Sequence, residues 1–189
     1  MVAAGLFNDI AYGQLSMRKA KTAVLGQALF LALALVIPMI THRLGLNFLV
    51  AQPMHWMILF AGLAYGPLSG ALMGLSVPLA SFALTGMPLP AMLPLMLPEL
   101  AVYGLAAGLL KGRLTAFGAV AAALIAGRAV FLALSAASGP LALPPALGGQ
   151  EASALEFIRR VWGPGLPAMA LQIALLPALA GLYVRWARD

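Results

Sequence analysis

Glu99 and Arg128 are the two charged side chains that stand deep inside long apolar runs. Glu99 lies in MLPLMLPELAVYGLAAGLL and Arg128 in AAALIAGRAVFLALSAAS. A carboxylate or guanidinium in such a run is costly unless it is paired, neutralised or turned toward a polar cavity, so its position alone marks a candidate site. An acid and a base in neighbouring runs point to one polar pocket. They also fit a salt bridge that only fixes helix packing, and the sequence leaves both readings open. His55 follows Pro53-Met54 and precedes Trp56. Alone it reads as a polar residue beside an interfacial tryptophan; in a cavity shared with Glu99 it reads as a ligand contact. Met92, Met96, Glu99 and Tyr103 fall at i, i+4, i+7 and i+11, which is one face of a helix.

Other chemistries lack their residues. There is no cysteine, which removes thiol catalysis, thiolate metal sites and disulfides. The remaining acids, Asp9, Glu151, Glu156 and Asp189, form no carboxylate pair with Glu99 within one apolar run. No H-E-x-x-H, no Walker loop and no G-x-S-x-G elbow occurs. Two histidines, His42 and His55, lack a ligand spacing, so no metal and no cofactor is expected.

The elements that must position these residues are membrane spans. The chain is 63% hydrophobic and 8% charged, with a mean hydropathy of +1.00. Several runs reach the roughly 20 residues that cross a bilayer as helix, and they are continuous rather than alternating, which excludes a β-barrel. The expected fold is an all-α membrane protein. Its six spans fall at about 22–41, 47–65, 68–84, 91–110, 115–136 and 161–184 of one domain at 22–186. Residues 1–21 precede it as a cytoplasmic or interfacial segment; the apolar run after Lys21 is too long for a cleavable signal. The net charge of +6 raises nucleic acid as a partner, but the bases other than Arg128 sit at span ends, which suits orientation and anionic lipid instead. With the N-terminus inside, Arg18, Lys19, Lys21, Lys111, Arg113, Arg185 and Arg188 lie on the inner side. Arg43, Arg159 and Arg160 lie on the outer, so the expected topology is N-in, C-in. The longer Pro/Gly-rich connections, near 42–53, 85–90 and 139–158, then all face outward, where irregular backbone suits binding.

Depth brings the charges together. Entering at Ala91, the fourth span carries Glu99 about 12 Å inward at about 1.5 Å per residue. The fifth span lifts Arg128 about 20 Å from Thr115, to a similar level in a core about 30 Å thick. Small residues recur at i, i+4: Ala28 with Ala32, Gly62 with Gly66, Gly70 with Gly74, and Gly104 with Gly108. The glycine pairs read as packing within the bundle, while the alanine pair, on the first span, is open to a partner.

Five elements in order carry a resemblance. They are Pro53-Met54-His55, the stretch Gly62 to Gly66-Pro67, Pro78-Leu79-Ala80-Ser81, Thr85-Gly86-Met87-Pro88 and Glu99-Leu100-Ala101-Val102-Tyr103-Gly104. In these the chain resembles the substrate-binding S components of energy-coupling factor (ECF) vitamin transporters. The likeness covers roughly residues 22–111, and the last two spans agree mainly in size and topology. It implies a binding subunit, not an enzyme, in a prokaryotic cell membrane. Such a subunit captures a vitamin or related micronutrient from the outer side and works with a transmembrane coupling subunit and two cytoplasmic ATPases. In that family small residues on the first helix face the coupling subunit, a pattern that Ala28 and Ala32 match. The expected ligand contacts are Glu99 and His55 as polar partners and Arg128 as counterion or anion clamp. Tyr103 and Met92 would be walls, with Thr85 in the outer loop. Two other classes fit the composition: an assembly or scaffold subunit without a ligand, and a stand-alone permease.

Overall fold

A computed structural model describes residues 17–43, 52–138, 151 and 153–186, and every regular element in them is helical. The helices are α1 (Met17–Arg43), α2 (Pro53–Tyr65), α3 (Pro67–Thr85), α4 (Leu93–Leu110, after a 3₁₀ turn Pro90–Met92), α5 (Ala116–Ala137), the short α6 (Ala154–Phe157) and α7 (Leu166–Trp186). Pro67–Thr85, Pro90–Leu110, Ala116–Ala137 and Leu155–Arg185 are long and apolar enough to cross a membrane, and Val24–Ile37 is a shorter apolar stretch. The chain is an all-α membrane bundle. Helix α1 begins at Met17, inside the segment expected before the first span; residues 1–16 of that segment, residues 44–51 with the expected start of span two, and most of the 139–155 loop lie outside the described residues.

Proline and glycine set the boundaries. Pro53 opens α2 and Pro67 opens α3, positions where the missing N–H costs nothing. Between α2 and α3 a single Gly66 turns the chain with φ of 104°, a conformation that favours glycine. Thr115 caps α5 by accepting a hydrogen bond from the Gly118 amide at 3.1 Å. Pro67 also leaves a debt: four residues earlier, the Leu63 carbonyl lacks a helical donor. Lys111, just past α4, supplies one, its Nζ donating to Leu63 O at 2.6 Å. Lys111→Met is therefore expected to lower stability by about 1–2 kcal/mol, read as a lower melting temperature in detergent.

The last helical run differs from expectation in where it begins. Helix starts at Ala154, passes through a π-helical turn at Ile158–Trp162 and a 3₁₀ turn at Gly163–Gly165, and continues as α7. Pro164 and Pro167 have no N–H to give to the α-helical ladder, so the chain changes its winding there instead of breaking; Pro177 stays within α7.

In the packing, α4 is central, lying against α2, α3 and α5, while α7 closes on α2 and α5 and α1 rests on α2 and α3. Lipid gives helices no hydrophobic reason to associate, so they hold by close contact of small residues. Gly70 of α3 and Gly104 of α4 touch backbone to backbone, and a Cβ on either would collide with the other's main chain. The core is built from Ile58, Leu59, Val77, Leu100, Tyr103, Val120, Leu124 and Leu176. Leu72, Leu75 and Leu79 of α3 and Leu171, Leu175, Leu179 and Leu182 of α7 face outward, as lipid contact requires. Away from Glu99, the Tyr65 and Tyr183 hydroxyls share a hydrogen bond directly over Gly26 of α1, and the Phe30 ring meets Phe60 at 4.5 Å and Tyr183 at 5.8 Å.

Candidate functional site

α4 presents Glu99 and Tyr103 one turn apart, so the Tyr103 hydroxyl reaches back and donates to Glu99 Oε1 at 2.7 Å. Arg128, from α5, donates through one terminal guanidinium nitrogen to the same oxygen at 2.8 Å. Both charges are buried, Glu99 being 2% and Arg128 8% exposed. The equal depths expected from rise per residue thus meet as an ion pair. On one side of it, the His55 ring of α2 lies 5.1 Å from the Tyr103 ring, centre to centre. On the other, the Arg128 guanidinium sits over the Trp162 indole at 5.9 Å. The result is a row, His55–Tyr103–Glu99–Arg128–Trp162, crossing α2, α4, α5 and the π turn.

Gly127 makes the row possible. A Cβ there would strike the Tyr103 ring and the Glu99 carbonyl, so only glycine lets α5 lie against that ring. Gly127→Ala is expected to cost about 1–3 kcal/mol by overpacking, and adding Tyr103→Leu should remove much of that penalty. A double-mutant cycle of unfolding free energies checks the coupling.

The row is not saturated. Both ring nitrogens of His55, Nε of Arg128 and Nε1 of Trp162 are buried without a hydrogen-bond partner among the described residues. So are the amide of Gln172 on α7 and Oε1 of Gln52 at the start of α2. A buried polar atom without a partner costs free energy, and a native fold keeps several in one place where something else satisfies them. The arrangement is suited to holding a small molecule by hydrogen bonds. Among the described residues no group of three or more His, Cys, Asp or Glu stands close enough to hold a metal ion.

Residues 24–184 match the family of ECF transporter substrate-specific components. The chain belongs to that family. It is a multi-pass membrane protein and a substrate-binding subunit for transport, which associates with other ECF transporter components and a small-molecule substrate. No curated protein and no solved structure matches it.

In this substrate-specific component the other expected residues lie outside the row itself, Met92 beside its Trp162 end. Met92 packs with Leu95 and Met96 on the cluster of Phe131, Phe157 and Val161, which Trp162 also joins. The Thr85 hydroxyl acts locally, donating to Ser81 O at 2.7 Å and accepting from the Met87 amide at 3.2 Å at the end of α3. Ala28 and Ala32 are exposed on α1, in one row with Leu25, Leu29, Val36 and Ile40. Three residues escaped the sequence reading of this S component. Gln172 carried a usable signal, being an uncharged polar residue inside an apolar run. Trp162 and Gly127 carried none, since an interfacial tryptophan and a small helical residue are ordinary in membrane helices.

Proposed function

We propose that this S component binds a vitamin or related micronutrient, with Glu99, His55, Arg128 and Tyr103 as its polar centre and Met92 with the Thr85 loop at its margin. The observation that carries the reading is the set of unpartnered nitrogens on His55 and Arg128, each buried beside the Glu99 ion pair. The site belongs to a six-span domain at about 22–186, oriented N-in and C-in in a prokaryotic cell membrane, and the ligand arrives from the outer side. The component then works with a transmembrane coupling subunit and two cytoplasmic ATPases. The exposed Ala28–Ala32 row of α1 supports a docking role for that face, because small side chains let a partner helix approach closely.

Native mass spectrometry of the gently purified chain, followed by thermal-shift screening against a vitamin panel, tests the reading. A co-purified small molecule, or a rise in melting temperature with one vitamin, is the expected result. A ligand-free chain indifferent to every vitamin would favour the scaffold reading, in which Glu99 and Arg128 only lock the bundle. Uptake by the chain reconstituted alone would favour the permease.

A further inference from the structure

The charges at the candidate site already cancel. Glu99 and Arg128 face each other at 2.8 Å, and the Tyr103 hydroxyl bonds to the same carboxylate oxygen. His55, the other ionisable group in the row, is ordinarily neutral above a pH of about 6.5. A ligand anion would have to draw Arg128 away from Glu99, leaving a buried carboxylate with one hydroxyl for company. A ligand cation would do the reverse to Arg128. Either exchange leaves an uncompensated charge where charges are most expensive.

Within the row itself, leaving aside the Gln172 amide and Gln52 Oε1, the unsatisfied atoms are mostly donors. Arg128 Nε and Trp162 Nε1 can only donate, and a neutral imidazole adds one donor and one acceptor. That makes three N–H groups seeking acceptors against one nitrogen seeking a donor.

Resting on the binding role proposed above, we infer that the ligand carries no formally charged group and presents an excess of hydrogen-bond acceptors, such as ring nitrogens and carbonyl oxygens. Glu99 and Arg128 serve it as a neutral pair that aims the guanidinium Nε, and neither acts as a counterion for it.

Twins alike in skeleton and different in charge test this on the full chain in detergent at neutral pH. Suitable probes are nicotinamide against nicotinate, riboflavin against its phosphate ester, and biotin amide against biotin. The expected result is binding of an uncharged member with its charged twin weaker by about tenfold or more, a modest demand beside the cost of burying a lone charge. A charged twin that binds as tightly or more tightly overturns the inference and leaves the binding role intact. If no probe binds, the co-purified compound decides: an uncharged molecule supports the inference and a charged one overturns it. A ligand-free chain that no probe stabilises removes the binding role and this inference together.

The ion pair gives a second test, which turns its own fragility into the readout. In Glu99→Gln the guanidinium loses its counterion, so the variant should melt lower. The anionic member of the responding pair should then raise its melting temperature more than the uncharged member does. In the double variant Glu99→Gln/Arg128→Gln the preference should return to the uncharged member. If the order of preference stays the same in all three proteins, the charge-cancelling role is wrong.

Discussion

Glu99→Ala is expected to destabilise the bundle by about 3–5 kcal/mol, because removing one partner of a buried ion pair strands the other. Arg128, 8% exposed in the wild type, would lose the anion that its guanidinium faces, and the Tyr103 hydroxyl would lose its acceptor in the same stroke. Removing both charges as Glu99→Ala/Arg128→Leu should fall much closer to the wild type, since a buried pair replaced by apolar groups is often near neutral. Reversible unfolding in mixed detergent micelles measures all three. A single variant within 1 kcal/mol of wild type, on the order of a surface substitution, would mean that the pair is solvated and not enclosed.

Gly104→Leu should be as damaging for a purely steric reason, with an expected loss of about 3 kcal/mol or more. The atoms its side chain would meet are the main chain of Gly70, and the space beside Gly62 is already filled by the Gly104 carbonyl. A flexible side chain can swing away from an intruder, but a helix backbone cannot. α3 and α4 would have to part, and α4 is the helix that carries Glu99 and Tyr103. Gly112→Leu is the control: a Cβ at Gly112 meets nothing within 4 Å, so its melting temperature should stay at the wild-type value. Equal effects at the two glycines would remove the close approach of α3 and α4 from the account.

Much of this arrangement is legible in the residues. An acid and a base inside apolar runs are expensive enough to be noticed, and counting rise per residue from the span ends already sets Glu99 level with Arg128. The i, i+4 spacing of Glu99 and Tyr103 likewise puts them on one helix face, where the structure joins them by a hydrogen bond. Trp162 is different in kind. Its place over Arg128 depends on a π-helical turn, and no α-helical or strand periodicity predicts a change of winding. Gly127 matters only because Tyr103 lies across from it, a relation between two helices that neither segment encodes alone. Thr85 illustrates the converse. Its residue type suits a ligand contact, and the hydroxyl also holds the end of α3 through Ser81 O and the Met87 amide, a local role that residue type alone does not reveal.

The row from His55 to Trp162 draws on α2, α4, α5 and the turn before α7, and takes nothing from α1. α1 is held by the edges of aromatic rings and by the tyrosine pair seated on Gly26, with its alanine row turned outward. The row proposed to meet a neighbour and the row proposed to select a cargo therefore have no side chain in common. Descendants of such a chain can drift toward a new cargo through α2, α4 and α5 while the outward row of α1 stays under its own, separate selection.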